Sequence, residues 1–401
     1  MKLYTYYEGV ELHRDEKIIF AKFLVPHRVL STCRSSGGGL RDDLDYLYNH
    51  QSCEPAGHHM SAALHAAAVH RPDAYRRVVS AQHGLPPEKC ATLGTAANMH
   101  DAAIAQRSYG DLDVIAICTG GVETNAGRAG DPAAYHQSGG EYEMLMPPQE
   151  PSQTPKPEHG TINTMLLISQ EVTRGAMVQA VITATEAKTA ALQELSAPSR
   201  YSDGLATGTG TDQIGLAARL GTPHPLTDAG KHSKLGELIG RAVHDAVRQT
   251  LALQNGLTPE YQRSVLRLLE RFGATHDALR DGISAHLSAE LSDLLAKNFT
   301  GVLKDPLTVA AVAALVHLRD QLVWGILPPG CLPEIMTLYG AQIAAAAAGK
   351  FARVPVYQDT LGGENMELDN PTFLTFIARA LALGFSEKWT WPELTDDEET
   401  A

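Results

Sequence analysis

The sequence predicts an α/β fold: a layered core with a central mixed sheet covered by helices, followed by an all-α C-terminal region. Three observations predict it. Over roughly the first 255 residues, short apolar runs alternate with Gly-rich turns and helical patterns, the mixture from which layered α/β cores are built. Within that part, the run Val114-Ile115-Ala116-Ile117 is apolar on both faces, as a strand covered on each side by helices must be. From Leu257 onward the chain reads as helix after helix. The shift sets the expected boundary between a 1–255 core and a 256–401 helical region packed on it, and the 44% hydrophobic content of the 401 residues can fill a sizeable core.

The expected strands are residues 18–24, 28–32, 91–97, 114–119, 161–168 and 201–207, each a short apolar run ended by turn residues. Between them lie helical patterns at 58–70, 98–107, 174–195, 212–220 and 234–253. The 174–195 helix carries the apolar stripe Met177, Ala180, Val181, Ala184, Ala191 and Leu195, which leaves Glu186 nearly opposite it. Leu235, Leu238, Ile239, Ala242, Val243, Ala246, Val247 and Leu251 recur at the same spacing, and Gly256 stands where a helix C-terminus favours positive φ. Residues 146–160 carry five prolines and no apolar periodicity, so they read as a surface loop. In the C-terminal region the helical patterns are 261–272, 275–299, 306–327, 331–348 and 371–384. Their apolar stripes need a partner surface, which the core or a second copy can provide; a homo-oligomer is therefore left open.

Lys and Arg number 33 against 46 Asp and Glu, a formal net charge of −13, which disfavours non-specific nucleic-acid binding. Five dispersed cysteines match a reducing, cytoplasmic setting. The N-terminal stretch is charged where a signal peptide needs its apolar run, and the reading excludes membrane insertion. Gly208-Thr-Gly-Thr-Asp-Gln213 lacks the third glycine of a dinucleotide fingerprint, and there is no P-loop, no Gly-x-Ser-x-Gly elbow, no His-Glu-x-x-His helix and no Asp-x-His-x-x-Gly corrinoid ligand motif.

Four segments can carry chemistry. Thr207, Gly208, Thr209, Gly210 and Thr211 form a turn before Asp212, where exposed N–H groups at an expected helix N-terminus can hold an anion or oxyanion; capping by Thr211 or Asp212 is the structural alternative. Thr119, Asn125 and Asp131 lie in a Gly-rich loop beyond the buried 114–119 strand, where α/β sheets place ligands. Thr161 and Asn163 share a strand face opposite Ile162, Leu166 and Ile168. Glu186 and Lys188 lie on the 174–195 helix, where a solvated face is the alternative. His50, Cys53, His58 and His59 have metal-like spacing, but no textually strong metal site results, and none is assigned.

In order along the chain, Leu30-Ser-Thr-Cys-Arg-Ser-Ser-Gly-Gly38, Thr119-Gly-Gly-Val-Glu-Thr-Asn-Ala-Gly-Arg-Ala-Gly-Asp131, Gly160-Thr-Ile-Asn163, Thr185-Glu-Ala-Lys188 and Ala206-Thr-Gly-Thr-Gly-Thr-Asp212 resemble the adenosylcobinamide amidohydrolase family. The resemblance spans about residues 20–250. It implies hydrolysis of the amide joining aminopropanol to the corrin ring, releasing adenosylcobyric acid in corrinoid salvage and remodelling. It also implies that the corrinoid, cobalt included, is the substrate, that no separate cofactor is required, and that Ser31, Thr32, Gly37 and Gly38 join the substrate-binding set. For the chemistry, Asp131, Asp212 or Glu186 is the candidate base for water, Asn163 orients the amide, and Lys188 is a proton source or charge partner. Thr209 as nucleophile and a zinc-bound water are the other versions. The rivals are a non-catalytic corrinoid carrier or sensor and, more weakly, a cobinamide kinase.

Overall fold

The computed structural model describes residues 1–53, 67, 70–139, 141–145, 160–363 and 367–390. The chain divides into two compact units, Met1–Thr258 and Pro259–Ala401. The first contains a short hairpin of β11 (Tyr135–Ser138) and β12 (Glu141–Met144) and two large sheets. One has five strands in the order β1 (Lys2–Tyr6), β2 (Val10–Asp15), β3 (Ile18–Phe23), β6 (Tyr46–Gln51) and β7 (Cys90–Thr95), antiparallel except for the β6–β7 pair. The other has six, in the order β5 (Gly39–Arg41), β4 (His27–Ser31), β15 (Gln213–Arg219), β13 (Asn163–Ile168), β9 (Leu112–Thr119) and β8 (Ala103–Tyr109), antiparallel except for β13–β15.

The sheets pack face to face: Leu12, Ile19, Leu47 and Leu93 of one meet Val29, Ile115, Ile117, Met165 and Leu167 of the other. The outer face of the six-stranded sheet, with Val114, Ala116, Leu166 and Leu216, is covered by α2 (Arg174–Glu194) and α3 (Lys234–Asn255). The outer face of the five-stranded sheet, with Ile18, Tyr48 and Cys90, receives Tyr75 and Val79 of α1 (Pro72–Gln82). Four layers result, helix, sheet, sheet, helix. The mixed sheet and covering helices agree with the sequence expectation, with one correction: the inner face of β9 is covered by a second sheet and not by helices.

Other elements differ from expectation. Residues 98–107 and 212–220, read as helices, are strands β8 and β15; a short 3₁₀ turn, Met99–Asp101, precedes the first. Their Ala- and Leu-rich composition suits a helix, but each lies between or beside strands that satisfy its backbone, and tertiary pairing outweighs propensity. Residues 201–207, read as a strand, form turns with a single bridge from Leu205 to Pro198. The 58–70 helix and the 146–160 loop fall almost wholly outside the described residues. Gly256 adopts the left-handed conformation at the C-cap of α3, as expected.

The second unit is helical: α4 (Pro259–Gln262), α5 (Val265–Leu269), α6 (His276–Ser284), α7 (Ala289–Lys304), α8 (Pro306–Val323), α9 (Leu332–Ala348), α10 (Val354–Leu361) and α11 (Asn370–Glu387). The 275–299 pattern splits at Ser288, whose side chain caps α7. Val265, Phe272, Leu295, Val312, Leu315, Ile343, Phe373 and Leu381 belong to this unit's own core. Helix α8, with 18 residues and mean hydropathy 1.2, is long and apolar enough to cross a membrane. Its buried Val312, Leu315 and Leu322 belong to that core, and a core helix meets the same criterion.

Candidate functional site

Strands β13 and β15 run parallel and begin at Asn163 and Gln213, whereas their neighbours β9 and β4 run the other way and end at Thr119 and Ser31. One end of the six-stranded sheet therefore gathers Ser31, Thr119, Asn163 and Gln213. The open edge of β7 lies against this end. Gly94 donates its N–H to Gln213 Oε1 at 3.3 Å, and its carbonyl accepts from Asn163 Nδ2 at 2.9 Å and Gln213 Nε2 at 3.1 Å. Side chains thus satisfy the groups that an edge strand leaves bare. Asn163 also donates to Asn49 Oδ1 (2.9 Å), and Asn49 donates to Thr119 Oγ1 (2.8 Å). Asn163 is fully buried and its Oδ1 has no partner, so in this arrangement its amide ties sheet to sheet.

Above that floor, the two Gly-rich loops pair with each other. β10 (Ala126–Gly127) and β14 (Gly208–Thr209) are antiparallel, with Ala126 opposite Thr209 and Gly127 opposite Gly208. Asp212 stands at their junction. Its Oδ1 accepts from the Ile162 N–H (2.9 Å) and the Thr209 hydroxyl (2.6 Å); its Oδ2 accepts from the Thr209 N–H (3.1 Å) and the Lys188 ammonium. The Lys188 and Asp212 side chains are only 13% and 16% exposed, which strengthens the pair relative to one in open water. Gly208 is required here, because a Cβ on it would collide with the Asp212 carboxylate and come within 2.7 Å of Lys188 Nζ. Asp212 immediately precedes strand β15, so neither it nor Thr211 caps a helix, and no helix dipole supports an anion at this turn.

A second cluster adjoins it. Asn125 Nδ2 donates to the Gly160 carbonyl (2.9 Å) and Thr211 Oγ1 (3.3 Å), and Thr211 donates to Gly160 as well (2.9 Å). Thr161 Oγ1 lies 2.6 Å from Thr211 Oγ1. Asp131 serves the loop itself: its Oδ2 accepts from the Ser199 hydroxyl (2.6 Å) and the Arg128 N–H (2.7 Å). Burial pulls its pKa upward, but hydrogen bonds from Ser199, Ser202 and Arg128 outweigh that and hold the carboxyl below the usual range. Thr207 Oγ1 accepts from the Ala129 N–H at 2.9 Å, a further tie between the loops.

The sequence profile of the adenosylcobinamide amidohydrolases matches residues 3–259, a span that holds every group in these clusters. The chain belongs to the adenosylcobinamide amidohydrolase family. A protein of Methanocaldococcus jannaschii described as uncharacterized is 37% identical over 190 residues, which cover 47% of this chain and 72% of that protein.

Within the span matched to the adenosylcobinamide amidohydrolases, the other expected residues sit apart from Asp212. Glu186 does not pair with Lys188; it is exposed on α2 and bonds Lys231 at 2.6 Å. Two positions on a helix point about 200° apart, so residues 186 and 188 cannot face one site. Thr32 serves β15, its Oγ1 accepting from the Ile214 N–H at 3.0 Å. Ser31 Oγ is buried without a partner. Gly37 and Gly38 pack on the carbonyls of Cys90 and Cys33, in a loop fastened to α1 by Ser36 and Asp73 (2.6 Å). Cys118, next to Thr119, is pushed up to about 12 by burial, which leaves it protonated and unreactive near neutrality.

In the cluster with metal-like spacing, His50 Nδ1 lies 2.7 Å from the Tyr75 hydroxyl, and burial takes His50 down to about 4. His58 and His59 lie outside the described residues, and among those described no three His, Cys, Asp or Glu side chains gather around a metal position. Sequence reasoning did not single out Asn49, Gly94 or Gln213. The aromatic-rich run Tyr46-Leu-Tyr48 leading into Asn49, a composition strands favour, was the available signal for Asn49.

Proposed function

We propose that this protein hydrolyses the aminopropanol amide of adenosylcobinamide to adenosylcobyric acid, with the corrinoid and its cobalt as substrate and no nucleotide or redox cofactor consumed. The observation that carries the reading is the Thr209–Asp212–Lys188 constellation within a chain of this family: a hydroxyl 2.6 Å from a carboxylate that a half-buried ammonium and two backbone N–H groups hold in place. A nucleophile within reach of a base, itself oriented by a third group, is the arrangement by which hydroxyls are activated. Asp212 holds four donors, and the Thr209 hydroxyl is the one among them that can both surrender a proton and attack a carbonyl.

In the proposed sequence Thr209 Oγ1 bonds to the amide carbon while its proton passes to Asp212. The tetrahedral intermediate then expels the amine, which takes that proton and leaves as aminopropanol, and water hydrolyses the resulting ester. The Lys188 ammonium keeps Asp212 positioned and balances its charge. The test is mass analysis after incubation with adenosylcobinamide alone. Release of aminopropanol and adenosylcobyric acid is expected, with Thr209→Ala losing turnover on the order of 100-fold or more and Thr209→Ser retaining part of it. An unchanged but retained corrinoid would make the protein a carrier, and added phosphate on supplying ATP would make it a kinase. Full turnover by Thr209→Ala would transfer the nucleophile's role to water.

A further inference from the structure

We infer that Tyr201 is a specificity-determining residue of this site, a fixed aromatic platform against which the corrin macrocycle packs. The inference rests on the amidohydrolase reading and deepens it. Single exposed aromatics are ordinary on protein surfaces; this one differs in how it is held. Its hydroxyl donates to Asn125 Oδ1 at 2.8 Å, its N–H donates to Ser199 Oγ at 3.1 Å, and its ring lies over Gly127, where a Cβ would be 3.3 Å from Cδ2. Its backbone and its hydroxyl are therefore both tied, yet the residue remains 47% exposed.

Those fastenings run directly into the candidate site. The Asn125 amide that receives the Tyr201 hydroxyl donates to Gly160 and Thr211, and Thr211 adjoins Asp212. Ser199, which accepts from the Tyr201 N–H, in turn bonds Asp131. Polar ties of this kind immobilise a ring in advance, so little further conformational freedom is lost when a ligand covers it. A large conjugated macrocycle presents the broad apolar surface that such a ring fits, whereas aminopropanol offers none.

The experiment measures corrinoid binding by absorbance titration and turnover by product mass for the full chain and for Tyr201→Ala, Tyr201→Phe and Tyr201→Trp. In Tyr201→Ala, KM and Kd for adenosylcobinamide are expected to rise about tenfold, the equivalent of about 1.4 kcal/mol, with kcat little changed. Tyr201→Phe and Tyr201→Trp, which keep a ring but lose the tie to Asn125, should raise KM and Kd clearly less than Tyr201→Ala does. An unchanged KM in Tyr201→Ala overturns the inference, as does an equal rise in Tyr201→Phe, which would assign the effect to the hydroxyl. A parent protein that binds the corrinoid without cleaving it removes the hydrolase reading and leaves the platform to be judged on Kd alone. A parent protein that neither binds nor cleaves it removes both.

Discussion

Asp212 and Glu186 are both carboxylates near Lys188 in the sequence or the fold, and their surroundings assign them opposite behaviour. Asp212→Asn cannot take the Thr209 proton and would turn an amide toward the Lys188 ammonium. A fall in turnover on the order of 100-fold or more is expected, with a stability loss of about 1–3 kcal/mol from the ammonium left unpaired. Glu186→Gln breaks only an exposed pair with Lys231, so turnover should be unchanged and stability should move by less than about 0.5 kcal/mol. Turnover and melting temperature on the same preparations check both, and a Glu186→Gln enzyme as slow as Asp212→Asn would reject this assignment. Asp212 and Thr209 stood out in the sequence because alternating Thr and Gly before a carboxylate is a local pattern, and Lys188 through the Thr185-Glu-Ala-Lys188 segment of the family resemblance. Asn49 and Gln213 did not, since they act through partners 114 and 119 residues away, and no local periodicity encodes such a pairing.

At the scale of elements, the strands flanking the site were legible where hydrophobic runs were bounded by turns, as for β4, β9 and β13. Strand β15 was not: Leu216, Ala217 and Ala218 favour a helix in isolation, and only pairing with β4 and β13 makes them a strand. Two buried histidines on strands of this unit contribute to its acid sensitivity. Burial lowers His27 in β4 and His50 in β6 to about 4, although the Val25 carbonyl accepts from His27 Nδ1–H at 2.7 Å. Both rings are neutral in the folded protein at pH 7, while in the unfolded chain they take a proton near pH ~6.5. The unfolded state therefore binds more protons between about pH 6.5 and 4, and stability must fall as the pH drops through that window. Melting temperatures between pH 7.5 and 4.5 should decline, less steeply in His50→Gln; a flat profile would contradict the buried neutral rings.

At the scale of the molecule, Met1–Thr258 holds every residue of the candidate site, and its core closes on Leu251 and Leu257 at the end of α3. The family match ends at residue 259, next to that boundary. A unit of this length lies near the upper limit for a single domain core, its apolar residues form clusters of their own, and those of Pro259–Ala401 form another. A chain ending at Thr258 is therefore expected to unfold cooperatively and to cleave adenosylcobinamide with the kcat/KM of the full chain. The sequence offered a different role for the helices, packing on the core or joining two copies, and the same truncation distinguishes these. Loss of cooperative unfolding would mean that the helical unit completes the core. A change of mass in solution at unchanged turnover would give it an assembly role. A rise in KM with folding intact would make it part of the corrinoid's enclosure, and would explain why this chain carries the segment beyond the family's shared span.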